Sequence, residues 1–540
     1  MRRCEVEGNL VDVLDGRIFP ARLAIVEDKV SSIEPVNGTR ANYILPGLID
    51  AHIHIESSLL SPSRFAEAAL AHGTTAVVAD PHEIANVLGM EGVMYMVKEA
   101  KGGKLRIFFA APSCVPLVIG QDYGGQLSWK EVQELLAMEQ FVALGEVMDD
   151  EGVLAQDGEI MAKLEVAKMA GKPIDGHAPG MNGNRLDSYV MAGITTDHEC
   201  TSSAEALEKF QKGMTIMVRE GSAAKNLEAL MPFAKDHQCF LVCDDLSALD
   251  LEKGHLDTVL RQAVALGMDP VHAIRAVTLW PAKHYHLPGG VIREGGPADL
   301  IVVKDLQGFQ VLETWVDGEM VAMNGSTMFC CAPNPIRPGI AITKVEGEDL
   351  RLRHPGTSVK VRYQLASPDQ IIGGRGEGEL QVLDGVVQAD PMHDILLLAV
   401  VNRYKKGAAD LGFVRGFGIR AGAIASSVAH DAHNLIAVGT SPEGMAVALS
   451  QVIAHGGGYC AFDGLTPASL PLPLAGLMSD RPIGEVAKAE KAIREFVAGM
   501  GCRLPSPFMT LSFQDPRFRR AVLGVDGYFV NEQPVESGSE

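Results

Sequence analysis

Short apolar runs alternate with segments of helical character from residue 44 to about residue 267. Apolar runs of this length, each followed by a helix-like segment, are typical of strands buried on both faces of a parallel sheet. The runs are ILPGLIDAHIH, TTAVVADPH, RIFFAAPS, FVALGEVMD, KPIDGHA, ITTDHEC, MTIMVRE and CFLVCDD. Eight strand-helix units predict an α/β fold that closes into a (β/α)8 barrel.

Helix ends between these runs can be predicted from their local sequence. Ser61 and Pro62 suit an N-cap followed by a first-turn proline, and Gly73 suits the end of that helix. Ser128 and Glu131 have the spacing of a capping box. Further helices are predicted over residues 203–213 and 223–236.

The pattern changes on both sides of the predicted barrel, which we assign to residues 44–284. Residues 1–43 and 285–334 have the shorter alternation of β-strands and turns, and we expect the two segments to pair into a small composite β-sandwich. The proline-rich junction APNPIRPG then precedes a separate α+β domain, assigned to residues 335–540. Its most unusual segment is SSVAHDAHN, which clusters His430, Asp431 and His433.

Polar side chains with catalytic or metal-binding chemistry lie where the apolar runs end. They are His52 and His54 on run one, Asp80 and His82 on run two, Glu146 on run four, His177 on run five, His198 on run six, Arg219 and Glu220 on run seven, and Asp244 and Asp245 on run eight. The carboxyl ends of barrel strands form the face on which barrel enzymes build their sites. Histidines with a purely structural role have no reason to be sorted to one rim, so this distribution predicts a catalytic metal site.

The donor atoms of this set indicate which metals and which reactions it supports. Histidine and carboxylate ligands without cysteine suit Mn²⁺, Fe²⁺ or Zn²⁺ rather than a thiolate structural zinc. Four histidines and two carboxylates exceed the needs of one ion, so we expect two ions bridged by Glu146. Metal-bound water is acidic enough to attack an sp² carbon at neutral pH, and an aspartate beside it can carry the proton to a leaving amine. His82 is expected to polarise the electrophile or orient the nucleophile, although a rim histidine without a catalytic role explains it nearly as well.

The same tetrahedral chemistry serves amide hydrolysis and aromatic deamination, so the residues alone leave both open. One class of deaminase is excluded. The small zinc deaminases combine H-x-E with P-C-x-x-C. Residues 54–56 match the first half, but the chain contains no P-C-x-x-C.

The composition limits which binding partners and which cellular compartment are expected for the protein. The chain has 540 residues, 47% of them hydrophobic, and a formal net charge of −21. Such an acidic protein is a poor partner for nucleic acid or for an anionic membrane surface. Nine cysteines scattered over a long chain favour a reducing compartment over a disulfide framework. The sequence shows neither a signal peptide nor a membrane-spanning run, and we therefore expect a cytoplasmic protein.

Several longer motifs together resemble a known family. PGLIDAHIHIESS, HGTTAVVADPHEIANVLG, GEVMD, GHAPG, TTDHEC, REGSAAKNL and GHLD are similar to segments of the amidohydrolase superfamily and, within it, of the prokaryotic adenine deaminases. SSVAHDAHN resembles the additional carboxyl-terminal domain of those enzymes. The likeness covers essentially the whole chain.

This resemblance implies a reaction and a cofactor. The reaction is hydrolysis of adenine to hypoxanthine and ammonia by attack of metal-activated water at C6, in purine salvage. The cofactor is a binuclear divalent centre, with manganese as the first choice and iron or zinc as alternatives. A homodimer is also expected. The implied metal ligands are His52, His54, Glu146, His177, His198 and Asp244.

The resemblance also assigns roles to single residues. Glu146 takes the bridging position that a carboxylated lysine fills in many relatives, and Asp244 becomes both ligand and proton shuttle. Asp244 and Asp245 are adjacent, and Asp244 is chosen because it comes first after the apolar run. The expected catalytic residues are Asp244, Glu146 and His82, and the expected neighbours of the purine are Asp80, His82, Arg219 and Ser222.

Two positions depart from the family pattern. Cys243 stands where Ser or Thr usually precedes the paired aspartates, and Ala432 replaces a serine beside His430. Neither change removes an expected ligand, although the second leaves the role of the carboxyl-terminal cluster open, with a buried polar turn as the alternative. Two other functions stay open as well: a hydrolase of cyclic amides, and a barrel that has lost its activity and serves as a scaffold.

Overall fold

The computed structural model describes residues 2–117, 123–222, 224–367 and 374–514. The chain divides into two compact units. The first consists of Met1–Ala85, Val93–Leu117 and Leu127–Asn334, and the second of Asn86–Gly92, Val118–Gln126 and Pro335–Glu540.

The first unit holds the elements up to residue 334, except that residues Asn86–Gly92, which include parts of the second and third helices, belong to the second unit. Its strands are β1 (Arg3–Asp12), β2 (Arg17–Val26), β3 (Lys29–Pro35), β4 (Tyr43–Pro46), β5 (Leu48–Ile53), β6 (Thr74–Ala79), β7 (Arg106–Ala111), β8 (Phe141–Val147), β9 (Ile174–Gly176), β10 (Thr196–Asp197), β11 (Thr215–Arg219), β12 (Phe240–Val242), β13 (Leu300–Val303), β14 (Val311–Val316), β15 (Glu319–Met323) and β16 (Ser326–Thr327). Its helices are α1 (Pro62–Ala71), α2 (His82–Leu88), α3 (Met90–Ala100), α4 (Trp129–Leu136), α5 (Asp150–Ala155), α6 (Gly158–Met169), α7 (Gly183–Met191), α8 (Ser203–Gln211), α9 (Leu227–Ala234), α10 (Ala248–Leu251), α11 (Leu256–Ala265), α12 (Pro270–Ala276) and α13 (Leu279–His284). A 3₁₀ turn, Ile55–Ser58, follows β5.

Strands β5 to β12 form the predicted barrel. β5 to β9 pair in parallel in sequence order, and so do β10 to β12. A hydrogen bond of 2.9 Å from Thr195 N to the carbonyl of Ile174 joins the two groups. A parallel bridge between Ile53 and Asp244 closes the ring. The (β/α)8 prediction is therefore confirmed.

The barrel interior is filled by side chains of complementary size. Ala51, Ala76, Ala110 and Ala143 on β5 to β8 are buried together with bulky residues of β11 and β12, among them Phe240. Alternating small and large side chains fill a tapering barrel without leaving a pore. The catalytic rim is thus supported from below by a packed core.

The two flanking segments, for which a composite β-sandwich was predicted, meet in one eight-stranded sheet. β4 pairs antiparallel with β13, and the eight strands follow the order β16-β15-β14-β13-β4-β1-β2-β3. Their apolar side chains share one buried cluster that includes Leu10, Leu23, Ile44 and Leu300. Segments more than 250 residues apart therefore form a single core.

Predicted helix ends are mostly found where the caps place them. The Ser61 hydroxyl accepts a hydrogen bond of 3.4 Å from Arg64 N, and Glu131 accepts one of 2.6 Å from Ser128 N. The helix predicted over 223–236 is shorter, because α9 begins only at Leu227. Lys225 instead pairs with Glu220 in a turn after β11, and residue 223 lies outside the described residues.

The second unit is an α+β domain. Its strands are β17 (Ser358–Leu365), β18 (Arg375–Leu383), β19 (Val386–Val387), β20 (Ile395–Val401), β21 (Asp410–Arg415), β22 (Ala423–Ser426), β23 (Leu435–Gly439), β24 (Gly458–Phe462) and β25 (Pro467–Pro471), and its helices are α14 (Pro442–Ala454), α15 (Ile483–Gly499) and α16 (Pro507–Ser512). The nine strands form one sheet in the order β19-β18-β17-β21-β20-β23-β22-β24-β25. A 3₁₀ turn, Gly347–Leu350, precedes β17, and α14 packs on the sheet over a buried apolar cluster.

All nine cysteines are free thiols, which fits the prediction that the chain has no disulfide framework. Among the described residues, no helix has both the length and the apolar character needed to cross a membrane.

Candidate metal centre

The first barrel strand brings two imidazoles to the rim. His52 and His54 are both buried, and their rings meet edge to face with centroids 4.9 Å apart. The backbone of Asp244 fixes this strand end, since Asp244 N donates to the carbonyl of His52 and His54 N donates to the carbonyl of Asp244. The seam that closes the barrel therefore also aligns these side chains.

Glu146, at the end of β8, lies at the centre of the cluster. Its Oε2 is 2.8 Å from His177 Nδ1 and 3.3 Å from His198 Nε2. Its Oε1 is 3.3 Å from His54 Nε2 and 3.6 Å from His82 Nδ1. One carboxylate thus contacts imidazoles from four strand ends, which is the geometry expected of a bridging group.

Asp244 forms the second carboxylate of the cluster. Its Oδ1 is 3.1 Å from His54 Nε2 and 3.5 Å from His52 Nε2. Its Oδ2 accepts a hydrogen bond of 2.8 Å from Arg219 Nη1. The two oxygens therefore face different partners, imidazoles on one side and a guanidinium on the other.

The neighbouring Asp245 has different contacts. Its Oδ1 accepts a hydrogen bond of 2.5 Å from the Ser57 hydroxyl, and its carbonyl accepts one from Ser222 N. Asp244 has a positive φ of 57°, a left-handed conformation that costs free energy in a residue other than glycine. This turn aims the Asp244 side chain into the cluster, whereas the choice of Asp244 as ligand stays a prediction.

Asp80 supports Glu146 from behind. Its Oδ2 accepts a hydrogen bond of 3.0 Å from Glu146 N, and its Oδ1 is 3.6 Å from His82 Nδ1. The close approach requires glycine at position 145, where a Cβ would lie 2.1 Å from Asp80 Oδ2. Asp80 is therefore placed to orient Glu146 and His82 together.

His177 is the most exposed imidazole of the cluster. Its side chain keeps 27% of its surface accessible, whereas those of His52, His54 and His198 keep 3–5%. Solvent, and hence a small substrate, reaches the cluster most easily on the His177 side.

Ser222 bonds to residues other than those of the cluster around Glu146. The Ser222 hydroxyl donates to Asp250 Oδ2 at 2.7 Å and lies 3.2 Å from the Ser247 hydroxyl.

His433 Nδ1 accepts a hydrogen bond from Ala429 N, and its carbonyl accepts one from the fully buried Arg403. His433 of the SSVAHDAHN segment therefore takes part in a buried polar turn.

Sequence reasoning missed Glu199, which follows His198 directly. Its carboxylate forms two hydrogen bonds with Arg219, of 2.6 and 2.9 Å, and lies 3.4 Å from His198 Nε2 and 3.5 Å from His177 Nδ1. Its place in the TTDHEC motif could have indicated a residue of the site. Its pairing with Arg219, however, depends on two strand ends meeting in space.

Sequence reasoning also missed a buried lysine behind the rim. Lys209 Nζ donates to the carbonyl of Ala178 and to Asp197 Oδ2, at 2.6 and 2.9 Å. Asp197 Oδ1 accepts a hydrogen bond from Ala178 N. These contacts tie the residues next to His177 and His198 to helix α8.

The electrostatics of the cluster favour bound cations. Burial lowers the pKa of His54, but Asp244 and Glu146 outweigh burial and raise the pKa well above its usual value. Burial raises the pKa of Glu146, yet its imidazole partners hold that pKa well below the usual range. A site that binds protons this strongly at its imidazoles has a negative potential, in which a divalent ion can replace the protons.

The side chains fit a metal centre on geometric grounds as well. Nitrogen and oxygen ligands bound to one ion with bonds of about 2.0–2.1 Å lie roughly 3 Å apart. The contacts of Glu146 and Asp244 to the imidazoles fall near this spacing. His52 Nε2 is also buried and has no hydrogen-bond partner among the described residues. The ligand groups available are His52, His54 and Asp244; His52, Glu146 and His198; and His54, His82 and Glu146.

Comparison with known proteins shows which families the chain resembles. The amidohydrolase family model matches residues 43–321, and the model for the adenine deaminase C-terminal domain matches residues 370–515. Among curated proteins, the chain is similar to adenine deaminases from Methanosphaera stadtmanae, Methanothermobacter thermautotrophicus and Salinibacter ruber. The identities are 44%, 43% and 42%, over 94% of this chain and 94%, 94% and 93% of the relatives.

Proposed function

The chain belongs to the adenine deaminase family of the amidohydrolases, and on that premise we propose that it hydrolyses adenine to hypoxanthine and ammonia. The observation that carries the proposal is the convergence of imidazoles and carboxylates from six strand ends around Glu146 and Asp244. The family implies a divalent metal, and the described cluster has the ligand types to hold it.

Six residues would hold the proposed binuclear centre, with Glu146 as the ligand that both ions would share. They are His52, His54, Glu146, His177, His198 and Asp244. Nitrogen and oxygen donors suit manganese, iron or zinc, and manganese is our first choice because of the resemblance to the family. When bound, the ions supply an acidic water and polarise the substrate.

Asp244 is the proposed proton carrier. Its Oδ1 faces the imidazoles, while Arg219 holds Oδ2 and keeps the carboxylate in one orientation. Arg219 also keeps the pKa of Asp244 well below its usual value, against the effect of burial. The carboxylate is therefore ionised at rest and accepts the proton of the attacking water, which it then returns to the departing amino group.

The remaining residues of the rim position the reactants. His82 lies beside Glu146 Oε1, where it can orient the nucleophile or polarise the ring, and Asp80 fixes its position. We propose Asp80, His82, Arg219 and Ser222 as the surroundings of the purine, with Asp80 acting through its contacts to His82 and Glu146. Glu199 joins this set because it holds Arg219 and lies close to two proposed ligands.

The physiological setting proposed here is purine salvage in the cytoplasm by a homodimer. The free cysteines support a protein of a reducing compartment. The proposed partner is a small-molecule substrate alone.

Ammonia release from adenine by the purified, manganese-loaded protein tests the proposal. Asp244→Asn should lower kcat by at least ~10²-fold, because it removes the proton carrier. Asp245→Asn is the matched control and should keep most of the rate, because that carboxylate contacts Ser57 instead. Cleavage of a cyclic amide without turnover of adenine would overturn the proposal. Loss of activity in the Asp245 variant alone would transfer the proton-carrier role to that residue.

A further inference from the structure

A second group of metal-ligand residues lies on the seam of the barrel and is separate from the cluster around Glu146. It consists of Asp50 on β5, Cys243 directly after β12, and His255, the N-cap of α11. All three are essentially inaccessible to solvent. One ligand atom from each lies within 4.8 Å of the others.

The contact between Asp50 and His255 has the wrong geometry for a simple hydrogen bond. His255 Nε2 is 3.2 Å from Asp50 Oδ2, yet neither atom has a hydrogen-bond partner among the described residues. Two buried polar atoms so close and yet unbonded are costly unless something else joins them. Their separation matches the distance of roughly 3.3 Å between two ligands of one tetrahedral ion whose bonds are about 2.0–2.1 Å long.

The other atoms of these side chains are already held by neighbours. His255 Nδ1 is 2.7 Å from the Thr74 hydroxyl, which fixes the imidazole with Nε2 towards Asp50. Asp50 Oδ1 accepts hydrogen bonds from the backbone N–H groups of Cys243 and His52. Outer partners of this kind orient metal ligands and leave their remaining atoms free for the ion.

A cavity adjoins two of the three residues. It has a volume of about 280 Å³, and both Cys243 and His255 line it. Glu220, Lys225 and Asp250 lie further along its wall, so its surface carries charges of both signs. The cavity therefore borders the cluster, whereas the side chains of Asp50 and His255 have no solvent-accessible surface.

We propose that Asp50, Cys243 and His255 bind one zinc ion, with a water molecule as the fourth ligand. Thiolate, imidazole and carboxylate together are a set that suits zinc, unlike the sulfur-free set of the rim. A thiolate, a carboxylate and a neutral imidazole balance the charge of Zn²⁺, which reduces the cost of burying the ion. The zinc joins the first strand, the last strand and the following helix, and so it stabilises the seam that also positions Asp244.

Cobalt substitution tests this assignment without depending on adenine turnover. The protein loaded with Co²⁺ should show a thiolate-to-cobalt charge-transfer band in the near ultraviolet, and Cys243→Ser should abolish it. Cys239→Ser is the matched control, because Cys239 is equally buried directly before the same strand and its thiol donates a hydrogen bond to the carbonyl of Ala234. This control should keep the band. Absence of the band in the unaltered protein, or its survival in the Cys243 variant, would overturn the proposal.

A second variant covers the case in which Cys243→Ser does not fold. His255→Gln should bind one zinc ion fewer per chain, or bind it with an affinity weakened by more than ~10-fold, the smallest effect expected from disturbing a zinc ligand. Metal content after equilibrium dialysis measures this change. Unaltered zinc content and affinity in folded His255→Gln would rule the site out. Inactivity towards adenine in a protein that keeps the cobalt band would contradict the proposed function but not this zinc site.

Discussion

Single residues carry the chemistry of the rim, and Glu146 is the one on which most contacts depend. Imidazoles from β5, from the loop after β9 and from the loop after β10 lie within 3.3 Å of its two oxygens. A neutral amide at this position has only one oxygen, and it lacks the negative charge that the two proposed cations would require between them. Removing this charge should therefore affect metal binding as well as turnover.

Glu146→Gln is predicted to lower metal occupancy and rate together. We expect the metal content, measured by elemental analysis after dialysis, to fall along with a loss of at least ~10²-fold in kcat for adenine. Glu139→Gln, at an exposed position shortly before β8, is the control and should change neither quantity. Full occupancy and normal turnover in the Glu146 variant would remove this residue from the centre.

At the scale of elements, strand ends explain why the position of the site could be predicted from the sequence. Parallel strands of a barrel place their carboxyl ends on one face, so His52, His198 and Asp244 had to converge once the eight runs were recognised. The pairing of the flanking segments followed in the same way from their β pattern. These inferences need only local patterns and one topological rule.

Contacts between side chains of different elements could not be predicted in this way. The Glu199–Arg219 pair joins the ends of β10 and β11, and nothing in either motif specifies the partner. The late start of α9 has a similar cause, because residues 224–226 are used in the turn that pairs Lys225 with Glu220. Pairings of this kind depend on the three-dimensional register of the barrel.

Helix α8 illustrates how an element behind the rim controls the rim. Lys209 and Asp197 are completely buried and bonded to each other, and through Ala178 they hold the loop after His177. Burial lowers the pKa of Lys209, but its acidic neighbours, Asp197 foremost and Glu205 with it, together outweigh burial and keep the lysine charged. Removing one member of a buried ion pair leaves the other charge without compensation.

Lys209→Met is predicted to lower the free energy of unfolding by about 3–5 kcal/mol, because Asp197 remains buried without its partner. The rate with adenine should fall as well, since His177 and His198 lose their support. Lys212→Met provides a control from the end of the same helix, where the lysine pairs with the half-exposed Asp187 and the expected change is below about 1 kcal/mol. Denaturant titrations compare the two variants, and equal losses of stability in both would contradict the prediction.

At the scale of the whole molecule, closure of the first unit joins distant parts of the chain. The first and eighth barrel strands meet through Ile53 and Asp244, and the two flanks meet through β4 and β13. Helix α13 seals the same unit, with Ala282 and Tyr285 packed on the interior of the barrel. Its last residue, His284, lies against Phe240, with ring centroids 5.4 Å apart.

His284 makes the stability of this unit sensitive to acid. Its Nε2 is buried without a hydrogen-bond partner among the described residues, and burial, together with the nearby His286, lowers its pKa to about 4. The unfolded chain binds this proton near the ordinary histidine pKa of about 6.5, so between these two values the unfolded state binds more protons than the folded state. The ionisation of His284 therefore leaves the free energy of unfolding unchanged above pH 6.5 and lowers it as the pH decreases towards 4.

His284→Phe should remove this part of the acid sensitivity while keeping the aromatic contact with Phe240. Between pH 7 and pH 5 the unaltered protein should lose about 2 kcal/mol more unfolding free energy than the variant, which corresponds to 1.5 pH units below the ordinary histidine pKa. Tryptophan fluorescence during urea unfolding measures the difference, because Trp129, Trp280 and Trp315, the three tryptophans of the chain, all lie in the first unit. His286→Gln should keep most of the acid sensitivity, since burial is the larger cause of the His284 shift. If the Phe variant loses as much stability in acid as the unaltered protein, the sensitivity arises elsewhere in the barrel.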